Sequence, residues 1–154
     1  SIQKLVDKAI GDGMRGIAIT DHGNMFGIKE FWNYVKKKNG ARRDKLKKTS
    51  ASIAELQAVV DGGEATEEQK TELAKLKAEL DSLPKEDFKA IIGCEVYVAR
   101  RGLQFKEGKQ DQSGYHLILL AKNEKGYKNL IKIVSKAWTE GFYMRPRTDQ
   151  NHNL

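Results

Sequence analysis

Apolar residues in the first part of the chain change their spacing twice. Ile2, Leu5, Val6, Ala9 and Ile10 recur at helical intervals and run into Gly11 and Gly13, which predicts a helix over 1–14. Ile17, Ala18 and Ile19 then follow one another without alternation, as expected of a short strand covered on both faces. That strand ends in Asp21-His22-Gly23-Asn24. Helical spacing resumes with Phe26, Ile28, Phe31, Trp32 and Val35 over 25–38 and meets Lys36, Lys37 and Lys38, cations that suit a helix C-terminus. Helix, strand and helix joined by short turns predict an α/β fold with parallel strands.

Residues 40–83 follow a different rhythm. Leu46, Ile53 and Val60 recur every seven residues, and Leu73, Leu76, Leu80 and Leu83 repeat a narrow seam after Gly62-Gly63. The pattern predicts an antiparallel helical hairpin projecting from the domain, because so narrow an apolar stripe covers little beyond itself. Thr66 with Gln69 matches a capping box at the start of the second arm, and Ser52 with Glu55 matches one inside the first arm, where it is incidental. Strand patterning returns at 89–99 and again at 115–121, on either side of a loop over 100–114 without helical periodicity, so an antiparallel return is allowed between the two strands. A helix over 124–137 follows on Tyr127, Leu130, Ile131, Val134 and Ala137, and an aromatic, basic stretch runs from Trp138 to Arg147. The expected organisation is 1–39 as the first part of a domain, 40–83 as an insertion, and 84–154 as the domain continued.

Composition narrows the partners. The formal charge is +7 over 154 residues. The 40–83 segment holds eight basic and nine acidic groups, which leaves twenty basic and twelve acidic groups elsewhere, a balance that would attract a polyanion such as nucleic acid. On charge alone, a solvated and slightly basic surface is the simpler reading. No apolar run approaches the roughly 18 residues of a membrane span, and the first ten residues read as an amphipathic helix, so neither a membrane span nor a secretory signal is expected. A single cysteine, Cys94, makes no internal disulfide and belongs to a CxxC-free chain; a reducing, cytoplasmic setting is expected, with Cys94 in the core.

Four polar residues interrupt apolar strands or follow them directly. Asp21 and His22 stand just past the carboxyl end of the first strand, where α/β folds collect ligand-binding groups. A capping Asp and a satisfied surface His would give the same sequence. Glu95 sits among Ile91, Ile92, Val96 and Val98, where a carboxylate needs a cation or donors unless it faces solvent on an edge strand. His116 opens an apolar strand, either as a ligand or as a core histidine bonded to a carbonyl. Together, two imidazoles and two carboxylates suit Zn²⁺, Mn²⁺ or Mg²⁺. No phosphate-binding Gly loop, Ser-His-Asp set or nucleophile elbow is visible, which turns the expected chemistry toward metal-assisted hydrolysis.

At these residues the chain resembles the PHP (polymerase and histidinol phosphatase) domain of bacterial DNA polymerase III alpha subunits. The matching stretches are GIAITDHGNMFG at 16–27, IIGCEVYVA at 91–99, YHLILLAKNEKGYKNL at 115–130 and EGFYMRPR at 140–147. The resemblance implies a distorted PHP-type (β/α) barrel, only part of it present, with the helical hairpin inserted. It also implies a metal centre in which Asp21, His22, Glu95 and His116 match ligand positions, holding Zn²⁺ or Mn²⁺, with Mg²⁺ possible. The activity implied is metal-dependent phosphoester hydrolysis or a 3′–5′ exonuclease, or else a scaffold for the proofreading subunit. The parent chain would synthesise DNA with Mg²⁺ and would contact DNA, the proofreading exonuclease subunit and the sliding clamp. Arg145 and Arg147 are candidate nucleic-acid contacts. Rival readings are a free-standing phosphatase of the histidinol-phosphatase type and a non-catalytic interaction module. The family's opening His-x-His strand and its later ligands do not occur in the sequence, and the pattern between Asp149 and Gln150 reads as if residues were skipped, so a fragment that does not catalyse alone is expected, with His152 unassigned. The hairpin's near-neutral, mixed-charge faces suggest a protein contact or mere tolerance rather than DNA binding, with tolerance the favoured reading.

Overall fold

A computed structural model describes residues 1–111 and 114–141. The elements run α1 (Ile2–Gly11), β1 (Gly16–Ile19), α2 (Ile28–Asp61), α3 (Glu67–Ser82), β2 (Lys89–Val98), α4 (Gly108–Asp111), β3 (Tyr115–Leu120) and α5 (Glu124–Thr139). The chain divides into a sheet unit, Ser1–Trp32 with Lys89 onward, and a helical unit, Asn33–Phe88.

In the sheet unit the strand order is β1-β2-β3. β1 pairs with β2 in parallel, with Gly16 opposite Lys89 and Ile19 opposite Ile92. β2 pairs with β3 antiparallel, from Gly93 opposite Leu120 to Val98 opposite Tyr115. The expected α/β class with a parallel pair and an antiparallel return is therefore present; closure into a barrel lies beyond this three-stranded sheet. The parallel step needs a long connection, which α2 and α3 supply, whereas the loop from β2 to β3 suffices for the antiparallel step. Gly93 in mid-strand admits its neighbours closely: a Cβ there would lie 2.8 Å from the Leu119 carbonyl oxygen and from the Thr20 methyl.

The core of this unit holds Val6 and Ala9 of α1, Ile19, Ile28, Phe31, Cys94 and Leu130. β1 is less covered than its apolar run suggests: Gly16, Ile17 and Ala18 are half-buried and only Ile19 is buried. Among the described residues β1 is an edge strand with one neighbour, which explains the shortfall. Helix starts are marked by side chains: Ser1 accepts from the Lys4 amide, and Asn123 accepts from the Gly126 amide at 2.9 Å. The stretch expected as a plain loop over 100–114 contains the one-turn α4. The buried Asp111 carboxylate closes it, accepting from the Glu107 amide at 2.8 Å and from Arg101 Nε at 3.0 Å.

The helical unit corrects one boundary. No helix ends at Lys36–Lys38; α2 continues through Gly40 to Asp61, a run of 34 residues. A single interior glycine costs a helix about 1 kcal/mol, which strong helix formers on both sides outweigh. Asn39, which could have capped a break, instead bonds Phe88 reciprocally, donating to its carbonyl and accepting from its amide, both at 2.9 Å. Arg42 donates to the Pro84 carbonyl at 2.6 Å and pairs with Asp87, which Arg43 also reaches at 3.1 Å. Gly62 and Gly63 follow α2, and α3 starts on a complete capping box between Thr66 and Gln69. Ser52 and Glu55 lie in the interior of α2 and cap nothing. Lys45 pairs with Glu79 and Lys77 donates to Gln57, so the second half of α2 lies beside α3. Leu73 is buried, while Leu46, Ile53 and Val60 are half-buried. Among the described residues no helix is long and apolar enough to cross a membrane.

Candidate metal centre

Pairing beyond β1 sets the site. The β1 register continues past Thr20, so that His22 forms an isolated parallel bridge with Glu95. Two backbone bonds hold it: the Glu95 amide donates to the Asp21 carbonyl at 3.0 Å, and the Gly23 amide donates to the Glu95 carbonyl at 2.8 Å. Gly23 then takes φ 64°, a left-handed turn that suits glycine. The turn is pinned from two directions. Asn24 donates to the His22 carbonyl at 2.9 Å and accepts from the Phe26 amide at 3.1 Å, and the Trp138 indole donates to the Gly23 carbonyl at 2.7 Å. An apolar cleft of about 440 Å³ begins at Asn24, between Met25 and Phe26 on one side and Ile131 and Trp138 on the other.

Three of the four expected site residues converge. Glu95 is 8% exposed although it is charged. One carboxylate oxygen, Oε1, meets His116 Nδ1 at 2.7 Å. The other, Oε2, is buried against His22 Nδ1 and takes no hydrogen bond of normal geometry. The imidazoles are the open part of the group, with side chains 68% exposed at His22 and 43% at His116. Asp21 supplies its carbonyl to the same pairing, but its carboxylate accepts from the Gly27 amide at 3.3 Å, just ahead of α2, where a helix N-terminus favours negative charge. Among the described residues no three or more His, Cys, Asp or Glu side chains are arranged to hold a metal ion. Arg145 and Arg147 lie outside the described residues, as do His152 and the junction at 149–150.

Cys94 is fully buried and faces the carbonyls of Asn24 at 3.2 Å and Asp21 at 3.4 Å. Burial, and after it the negative charge of Asp21, push its thiol up from the ordinary value, so it is a packing residue and a poor nucleophile. Sequence reading passed over Tyr97. Its hydroxyl lies 3.4 Å from His22 Nδ1, and its ring meets the His116 ring edge-on with centroids 4.8 Å apart. The signal was available: strand alternation places Tyr97 on the face of Glu95.

Two imidazoles and one buried carboxylate are donor types that divalent cations accept, and here they face one another directly. Comparison with known proteins agrees with the fold. The chain is similar to the DNA polymerase III subunit alpha of Borreliella burgdorferi, with 36% identity over 97% of this chain and 9% of the relative. For the protein of the same name from Treponema pallidum the identity is 35%, again over 97% of this chain and 9% of the relative. For that of Chlamydia trachomatis it is 32%, over 98% of this chain and 8% of the relative. The chain thus spans about a tenth of the length of these relatives or less. The sequence model of the PHP domain matches residues 1–153, and with the parallel and antiparallel strand pairs that carry the polar cluster this establishes that the chain belongs to the PHP domain family.

Proposed function

We propose that this chain is part of the N-terminal PHP domain of a DNA polymerase III alpha subunit, and that His22, Glu95 and His116, with Asp21, hold a divalent cation for phosphoester hydrolysis. The observation that carries this reading is the Glu95 carboxylate, buried in a strand with an imidazole from a different segment at each oxygen. A lone carboxylate in such a place is unfavourable by several kcal/mol, of the order of an unpaired buried ion, so a cationic partner is the economical explanation. Imidazole with carboxylate favours Zn²⁺ or Mn²⁺ ahead of Mg²⁺. Bound there, a cation supplies Lewis-acid polarisation of a phosphoester oxygen and lowers the pKa of water.

The chain's own residues have separable tasks in this scheme. Glu95 supplies a carboxylate from the sheet; His22 and His116 supply imidazole nitrogens on the solvent side. Asp21 holds the turn through its carbonyl, and its carboxylate, which accepts from the Gly27 amide, is the fourth candidate ligand. Four side chains do not fill several metal shells, so hydrolysis, including any 3′–5′ exonuclease action on DNA, requires groups beyond these. DNA synthesis by a longer parent, its Mg²⁺, its association with the proofreading exonuclease subunit and sliding clamp, and a cytoplasmic location belong to the same proposal, supported by the printed name of the relatives.

One observation favours a second reading, a scaffold without metal: the three converging groups contact one another directly, and Asp21 is engaged elsewhere. Metal analysis of the full-length protein separates the two. Bound Zn or Mn, with chelator-sensitive release of nucleotide from a DNA 3′ end, is expected. A folded, metal-free protein with no such release overturns hydrolysis in favour of the scaffold, and hydrolysis of histidinol phosphate without action on DNA overturns the polymerase assignment in favour of a small-substrate phosphatase.

A further inference from the structure

We infer that Tyr97 is a positioning residue for the site, setting the orientation of both imidazoles; the inference rests on the cation reading above and deepens it. The two histidines need such a partner because they are the exposed members of the cluster, and an exposed imidazole explores several rotamers unless something fixes its ring. Tyr97 reaches both from one ring. It lies opposite His116 in the β2–β3 ladder, a pairing that brings side chains within direct contact on one face of the sheet. The rings stand at 83° with centroids 4.8 Å apart, an edge-to-face arrangement that restricts rotation of the imidazole. On the other side the phenol oxygen meets His22 Nδ1 at 3.4 Å, the proton lying on the phenol or the imidazole according to tautomer.

The ring also borders the turn that carries His22. A Cβ built on Gly23 would lie 3.5 Å from the Tyr97 ring, so the ring stands beside the open side of Gly23. Tyr97 is half-buried, its body packed and its hydroxyl directed to the site. One side chain thereby couples the segment after β1 to β3 across the strand that holds Glu95. Groups of this kind around metal-ligating histidines typically govern affinity by about 10- to 100-fold, because they fix ring orientation and tautomer.

The test uses two variants of the full-length protein and two readouts. Tyr97→Phe removes the oxygen but keeps the ring on His116; Tyr97→Leu removes both. Long-range ¹H–¹⁵N spectra of the imidazoles, recorded without metal, are expected to shift at His22 alone in Tyr97→Phe and at both His22 and His116 in Tyr97→Leu. Zn²⁺ titration calorimetry is expected to give affinities about tenfold weaker for Phe and weaker still for Leu, within the range for such groups. Unchanged imidazole signals in Tyr97→Phe, or wild-type affinity in both variants, overturn the inference. Should Tyr97→Leu fail to fold, the Phe variant decides. Wild-type protein that binds no Zn²⁺ sinks the cation reading, while the metal-free spectra still decide the role of Tyr97.

Discussion

The sheet unit and the helical unit use polar residues in different ways. In the sheet unit Glu95, His22 and His116 stand within or beside apolar strands and converge on one another, leaving a carboxylate oxygen without an ordinary donor. In the helical unit Asn39, Arg42 and Asp87 meet backbone groups and one another and bring distant parts of the chain together. Among the described residues each unit leaves one buried side-chain atom without a hydrogen bond, Glu95 Oε2 in the first and Arg42 Nε in the second, but only in the first does that atom stand among imidazoles. The difference follows from geometry. A strand register sets residues from separate segments side by side with little freedom, whereas a two-helix seam holds only a narrow stripe, and its remaining polar groups face solvent.

The sharpest way to break this contrast is Glu95→Ala. At cation concentrations about 100 times Kd, binding stabilises the folded state by about 2.7 kcal/mol. The wild type is expected to gain about that much on adding Zn²⁺ or Mn²⁺ and the variant almost none, as read from melting curves with and without chelator. An equal gain in both would remove Glu95 from the ligand set.

A second substitution probes the helical unit. Asn39→Ala leaves the Phe88 amide and carbonyl without their partner, at a cost of about 2 kcal/mol in urea unfolding, of the order of one or two part-buried orphaned groups. Cation affinity should be unchanged, since Asn39 belongs to the unit without the site; a fall in affinity would blur the distinction between the units. The smallest effect has the opposite sign. Gly40→Ala is expected to stabilise by about 0.5–1 kcal/mol, because Gly40 lies inside α2 and a Cβ there meets nothing within 4 Å. Destabilisation would mean that the helix is interrupted where Lys36–Lys38 suggested an end.

Local signals were read well where a single element decides them. Thr66 with Gln69 forms the capping box its spacing announced, because both partners lie within one turn. The strands at 89–99 and 115–121 and the helix after Asn123 stand close to where periodicity put them. The end assigned near Lys38 did not materialise, since terminal cations are a weak preference and the reciprocal Asn39–Phe88 bonds lie 49 residues apart in sequence. Asp21 was legible as a candidate, but not the turn of its carboxylate toward Gly27.

By itself the sequence determined the kinds of element, the parallel and antiparallel relations that loop lengths permit, and which residues had chemistry to offer, because periodicity and residue type act locally. Only the tertiary structure decided that His22 lies level with Glu95, that Tyr97 bridges two imidazoles, and that Asp21 faces a helix start. The first depends on the register between segments more than 70 residues apart and the second also on the β2–β3 register, where a shift of one residue would turn such side chains to the other face of the sheet; the third depends on how the chain turns between Asp21 and Gly27.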